Sequence, residues 1–195
     1  PRVVAMPCDL LVGEQIEKLV ARVEEKANGL SFLVNNAAFT GGSGLGGYAC
    51  PFEEQTDEAF DAALALNLAV PFRLTRRLTP SLRRSNNGSI VNIASIYGLV
   101  GPDLSLYSGT SMGNPAGYAA SKGGLIQLTR YLATVLAPDI RVNCVNPGGI
   151  FRGQDQIFVD RYENRTPLGR MATEADLVGT VNWLVSDAAA YVTGQ

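Results

Sequence analysis

Short β-branched runs alternate along this chain with longer stretches of helical periodicity. That alternation is the parallel α/β pattern, and it limits the fold more than any other feature. The runs are Ser31 to Asn35, residues 89–94 and residues 140–145, with Arg2-Val-Val-Ala-Met-Pro reading as a further short strand that ends at Cys8-Asp9-Leu10. Residues 13–28 place Ile16, Leu19, Val20 and Val23 on one face, with Glu24, Glu25 and Lys26 outside, so they read as an amphipathic helix that Asn28-Gly29 ends. Residues 39–55 read as a Gly-rich loop. Thr56-Asp57-Glu58 caps a long helix running to about Arg84, with Pro71 and Pro80 as the places to bend it. Asn86-Asn87-Gly88 turns into the next strand. Asn114 as N-cap and Pro115 at the first helical position start another helix, which stops before Pro138. After the 140–145 strand come a polar loop to about 168 and a helix from Thr173 to Ser186. The sequence holds no internal repeat.

Within this pattern, Tyr118 and Lys122 are four residues apart, just over one helical turn, so phenol and ammonium share a helix face. A tyrosine is mostly protonated at neutral pH, and a nearby lysine charge favours the phenolate and lowers that pKa. The pair is therefore a usable proton donor and acceptor. The chain has only three lysines (Lys18, Lys26 and Lys122) among its sixteen basic residues, so a lysine at 122 suggests that an ammonium is wanted there. It has no histidine, which removes Ser-His-Asp and Cys-His catalysis and the usual zinc hydrolase sites. No metal site is expected.

A chain of 195 residues makes one ordinary domain with a real core, and 46% hydrophobic against 17% charged residues is a globular balance. A net charge of −2 gives no footprint for nucleic acid. No apolar run approaches the roughly 20 residues that span a bilayer, and the first residues lack a basic-then-apolar segment. Cys8, Cys50 and Cys144 are odd in number and widely spaced, which suggests reduced thiols in a cytoplasmic protein. Gly42-Ser-Gly44-Leu-Gly-Gly47 matches the G-x-G-x-x-G spacing after a strand, yet Tyr48-Ala-Cys-Pro51 follows where a helix should open. It reads as a loop over the active site, with phosphate contact as the other reading.

Taken in order, several blocks resemble the short-chain dehydrogenase/reductase family: Phe32-Leu-Val-Asn-Asn-Ala-Ala38, Leu66-Asn67-Leu68, Gly88-Ser-Ile-Val-Asn-Ile-Ala-Ser95, Tyr118-x-x-x-Lys122 and Ile140-Arg-Val-Asn-Cys-Val-Asn-Pro-Gly148. The closing Tyr191-Val-Thr-Gly-Gln195 is similar to the family's approach to its last strand. Two positions depart from it. Ala38 stands where the family has glycine, and Arg152 stands where a threonine usually binds the cofactor.

The resemblance implies a Rossmann-like, doubly wound parallel sheet in three α/β/α layers, forming one NAD(P)-binding domain over residues 1–195. Its substrate loops would lie at about 96–114 and 149–168. The family's opening strand, phosphate loop, second strand and last strand have no counterpart in the sequence, which gives the expectation of a sheet incomplete at both ends within a longer polypeptide. The family chooses between NAD and NADP at the end of that second strand, so the cofactor is NAD or NADP.

The implied reaction is hydride transfer between a nicotinamide and a carbonyl or secondary alcohol. Tyr118 would move the hydroxyl proton, Lys122 would lower the tyrosine pKa and hold the ribose hydroxyls, Ser95 would hold the substrate oxygen, and Asn67 would hold a relay water. Singly, each has a plainer reading: a turn serine, a helix-interior amide, a packed aromatic. Asp9 and Leu10 would meet the adenine, Asn35 and Ala37 the adenosine, and Pro147, Gly148 and Ile150 the carboxamide.

The 98–114 stretch is longer than the family usually has between Ser95 and Tyr118. With Gly149-Ile-Phe-Arg-Gly-Gln154 it is similar to a bacterial branch associated with flagellin and surface-sugar modification. That favours a polar hydroxylated small molecule, with Arg152 on a phosphate or carboxylate. The other reading makes the stretch a structural or dimer-facing loop. A homodimer or homotetramer would pair helices 57–84 and 117–137, where Ala116, Ala119, Ala120, Gly123 and Gly124 permit close approach. Two further readings are a non-oxidative enzyme of dehalogenase or lyase type on the same fold, and a dinucleotide-binding sensor or scaffold without turnover.

Overall fold

The computed structural model describes residues 3–26 and 29–195. Three strands, β1 (Phe32–Asn35), β2 (Gly88–Ile93) and β3 (Ile140–Val145), lie parallel in the order β1-β2-β3. Asn35 is level with Asn92, and Asn92 with Cys144.

Successive strand residues face opposite sides. On one side Ile90 and Val142 meet Leu78 and Leu82 of α3 (Val70–Arg83) and Leu132, Ala133 and Leu136 of α4 (Ala116–Leu136). Val20 and Val23 of α1 (Gly13–Lys26) pack against the same cluster. On the other side Ser89 and Arg141, a paired row, donate to the Leu184 carbonyl at 3.1 and 2.8 Å. Leu184 belongs to α6 (Glu174–Val185), so helices cover both faces of a parallel sheet. This is the expected Rossmann-like three-layer arrangement. Beyond β3 the chain end prolongs the hydrogen bonding: Gly194 N–H donates to the Val142 carbonyl and Cys144 N–H to the Gln195 carbonyl, both at 2.7 Å.

Three expectations need correction. Residues 3–9 form no strand, because no neighbouring strand in the described sheet offers them a ladder. Arg2, and Asn28 at the end of the first helix, lie outside the described residues. The supposed polar loop to 168 contains α5 (Gln156–Arg165), whose N-cap Asp155 accepts from Ile157 N–H. Asn114 does not cap α4. Pro115 is the N-cap, and the Ala116 N–H is taken by the Gln55 side-chain oxygen at 2.9 Å.

The long helix begins where expected, with Thr56 accepting from Ala59 N–H, but it is not uniform. α2 (Asp57–Leu64) passes through a π-turn at Ala65–Ala69 into α3. Pro71 has no N–H to return to the Asn67 carbonyl, so α-type bonding must fail there. The ladder widens just upstream, and Val70 N–H reaches back to the Ala65 carbonyl. The irregularity sits before Pro71, and Pro80 is accommodated inside α3.

Candidate active site

All three strands end on one edge, where parallel α/β sheets bind their ligands. Ser95 stands two residues beyond β2 in extended backbone, 5% exposed, and its Oγ accepts from Tyr97 N–H at 3.2 Å. Tyr118 lies in the first turn of α4 with the Ser95 hydroxyl facing its phenol. One turn on, Lys122 is 3% exposed. Its Nζ donates to the Ile93 carbonyl at 2.6 Å and sits 5.6 Å from the centre of the Tyr118 ring. Two residues from α4 thus meet the loop that leaves β2.

The electrostatics correct one expectation. Burial pushes the Tyr118 phenol above its ordinary value, and Ser95 pulls it partly back. Burial also lowers the Lys122 ammonium to about 8. In so dry a place desolvation outweighs charge proximity, and the ammonium is directed to a backbone carbonyl.

Asn67, fully buried in the π-turn, uses its whole amide. Its Oδ1 accepts from Phe39 N–H at 2.7 Å. Its Nδ2 donates to the Phe39 carbonyl at 3.0 Å and to Ser121 Oγ at 3.1 Å. Ser121 Oγ in turn donates to the Tyr118 carbonyl at 2.8 Å. The side chain is therefore a clamp joining the 39–55 loop, the π-turn and the Tyr118 turn, with no donor left for a relay water.

The residues expected around the cofactor have differing surroundings. Asp9 is exposed and accepts from Leu11 N–H at 2.9 Å, a local turn before α1. Leu10 packs into the Ile16, Val70 and Leu74 cluster. Asn35 donates to Asn92 at 2.8 Å, and Asn92 to Thr129 at 2.9 Å, so it belongs to a buried polar row. Ala37 is exposed beyond β1. Pro147 accepts from Ile96 N–H at 3.1 Å, which ties the two strand ends together. Gly148 is exposed, and an added Cβ would lie 2.6 Å from the Tyr162 hydroxyl. Ile150 bridges to Ala172. Arg152 is an exposed surface residue whose guanidinium pairs with Glu174 at 3.1 Å.

Sequence reading missed four tyrosines here. Tyr97 and Tyr107 share a hydroxyl contact of 2.8 Å, Tyr162 accepts from Gly149 N–H at 2.6 Å, and Tyr48 packs against Tyr118. Nothing local marks them, since the fold brings them in from loops and α5. The 98–114 stretch folds onto α5. Arg161 donates to the carbonyls of Ser105 and Ser108, Arg165 pairs with Asp103 at 3.2 Å, and the rings of Tyr107 and Phe158 lie 5.1 Å apart. Among the described residues no cluster suits a metal ion and no helix is long and apolar enough to cross a membrane.

A helix-covered parallel sheet with acid–base groups at its carboxyl edge defines a Rossmann-like α/β protein. Within that class, the family profile described as Enoyl-(Acyl carrier protein) reductase matches residues 1–195. Nodulation protein G of Rhizobium meliloti is 35% identical over 201 residues, covering 100% of this chain and 74% of that protein. A short chain dehydrogenase from Leptospira borgpetersenii with bound NAD+ superposes with a TM-score of 0.86 at 36% identity, covering 96% of this chain and 70% of that one. An NAD+-bound xylitol dehydrogenase gives a TM-score of 0.81 at 26% identity, covering 96% and 74%. The chain belongs to the short-chain dehydrogenase/reductase family.

Proposed function

We propose that the protein is an oxidoreductase that uses NAD or NADP to interconvert a secondary alcohol and a carbonyl on a small polar, hydroxylated substrate such as a sugar derivative. The observation that carries this reading is Lys122: a nearly fully buried ammonium, one turn from Tyr118, with no carboxylate paired to it among the described residues.

A buried charge without a counter-ion is costly and is kept where it does chemistry. One of its three protons is spent on the Ile93 carbonyl, which leaves two for ribose hydroxyls. That donor set fits a nicotinamide nucleotide, whose ring supplies hydride chemistry when bound. Ser95 Oγ holds the substrate oxygen, and Tyr118 gives or takes its proton. Asn67 keeps the Tyr118 turn in place through Ser121. The hydroxyls of Tyr97, Tyr107 and Tyr162 near the strand ends suit a hydroxylated substrate, as does the likeness to a xylitol dehydrogenase. Exposed Phe72, Tyr131 and Val135 on α3 and α4 favour self-association as a homodimer or homotetramer.

Tyr118→Phe tests the reading. With a panel of polyols, sugars and their oxidised forms and both nicotinamide cofactors, the variant should lose about 10²-fold or more in turnover while its cofactor Kd holds. Unchanged turnover would overturn the assignment.

A further inference from the structure

The connections that leave the carboxyl ends of β1, β2 and β3 run over residues 36–56, 94–115 and 146–173. They hold four cations, Arg152, Arg161, Arg165 and Arg170, against six carboxylates. Each cation is already engaged. Arg152 pairs with Glu174 at 3.1 Å and Arg165 with Asp103 at 3.2 Å. Arg170 donates to both carboxylate oxygens of Asp176 at 2.8 Å, and Arg161 to the Ser105 and Ser108 carbonyls. Lys122 below them spends a proton on the Ile93 carbonyl. Neutral groups are less fully used. Tyr162 Oη accepts from Gly149 N–H at 2.6 Å, and its own proton meets no acceptor among the described residues. An added Cβ on Gly148 would lie 2.6 Å from that oxygen and 3.9 Å from Ile96 Cδ1, so the hydroxyl stands beside the turn after β3 and close to the turn after β2. Tyr97, whose N–H meets Ser95 Oγ at 3.2 Å, shares a hydroxyl-to-hydroxyl bond of 2.8 Å with Tyr107. Two hydroxyls bring two protons to that one bond, so one is left over. All three tyrosines are half-buried. Burial raises the phenols of Tyr97 and Tyr107, which keeps them protonated and uncharged at neutral pH.

We infer that the site selects an uncharged, multiply hydroxylated substrate, a free sugar or polyol, over its phosphorylated or carboxylated counterpart. The hydroxyls of Tyr162 and of the Tyr97–Tyr107 pair are the specificity-determining groups. A substrate hydroxyl accepts either spare proton and offers its own to a phenol lone pair. A phosphate or carboxylate brought to the same place loses its water, finds each cation of the connections engaged, and meets an excess of carboxylates. On this inference Arg152 serves Glu174 and not a substrate anion. The inference rests on the hydride-transfer reading, with Ser95 and Tyr118 at the reacting carbon, and narrows its substrate.

A panel of four- to six-carbon sugars and polyols, with the phosphate and the acid of each, tests it. Kd values come from saturation-transfer NMR titrations, which need no turnover. The tightest neutral member should bind about tenfold or more tighter than its own phosphate and acid. A charged member that binds as well as its neutral parent, or a panel with no neutral binder, would overturn the inference. Tyr162→Phe, and separately the double variant Tyr97→Phe/Tyr107→Phe, should each weaken that neutral ligand about threefold or more. The loss should vanish for the monodeoxy analogue that lacks the contacted hydroxyl. An equal loss on every deoxy analogue, as general damage to the lobe would give, would overturn the role of the tyrosines. Selective binding with no turnover on any member would refute the hydride-transfer reading and leave the selectivity standing.

Discussion

Lys122→Met should make the protein more stable at neutral pH while removing its turnover. The ammonium is almost fully buried, and burial lowers it from 10.5 to about 8. At ~1.4 kcal/mol per unit, holding it charged costs up to about 3 kcal/mol. The 2.6 Å bond to the Ile93 carbonyl offsets part of this, since hydrogen bonds to charged groups contribute about 1.5–3 kcal/mol. A gain of about 1 kcal/mol at pH 7 is expected for methionine, which fills a similar volume without a charge.

The sign follows from proton binding. Between the folded value near 8 and the unfolded value near 10.5, the unfolded state holds the extra proton, so the parent gains stability as pH rises through that window. Below the window its penalty is complete and constant. The methionine advantage should therefore be flat below about pH 7 and fade toward pH 10.5. Urea unfolding followed by fluorescence of Trp183, the one tryptophan, measures it across that range. A variant less stable than the parent at pH 7, or an advantage independent of pH, would refute the reasoning.

Three further substitutions probe the supports of the site. At Gly117 an added Cβ would lie 3.1 Å from Ala63 Cβ and 3.2 Å from Phe60 Cα. Gly117→Val should thus cost about 1–3 kcal/mol in thermal unfolding and lower kcat by displacing Tyr118. Gly123→Ala, whose Cβ would come no nearer than 3.5 Å to its neighbours, should be tolerated. Arg161→Ala removes the donor to the Ser105 and Ser108 carbonyls. Hydrogen exchange at residues 103–110 should speed up while global stability changes by less than about 1 kcal/mol.

What the sequence made legible was local. The 140–145 strand is found at those bounds, because a β-branched run between a proline and a Pro-Gly turn has few other options. The helix expected from Thr173 to Ser186 is found as α6, opened by a Thr173–Asp176 capping box. The Tyr118/Lys122 spacing puts both on one turn, but the partner of the ammonium, the Ile93 carbonyl, is 29 residues away and left no mark. α5 was missed because its periodicity is weak and its packing comes from Tyr107 and the 98–114 stretch. Residues 3–9 read as a strand from propensity alone, yet a strand is defined by its neighbour. Asn67 was expected inside a regular helix; two prolines were weighed as bends, while the widened turn upstream of Pro71 depends on where the chain must place that amide.

That widened turn makes one rod serve two partners. Relative to unbroken α-helix, its extra residue turns everything downstream by about 100°. Before it, Ala59 and Ala63 are keyed to the Tyr118 helix; after it, Leu74, Leu78 and Leu82 are keyed to α1 and the sheet. Winding residues 65–69 as ordinary α-helix with none removed would swing those three leucines toward water, leaving every one of them unmutated. The segment works as a phase plate between the part of the molecule that carries Tyr118 and its core, and the winding of five residues decides which face of the rod each partner meets.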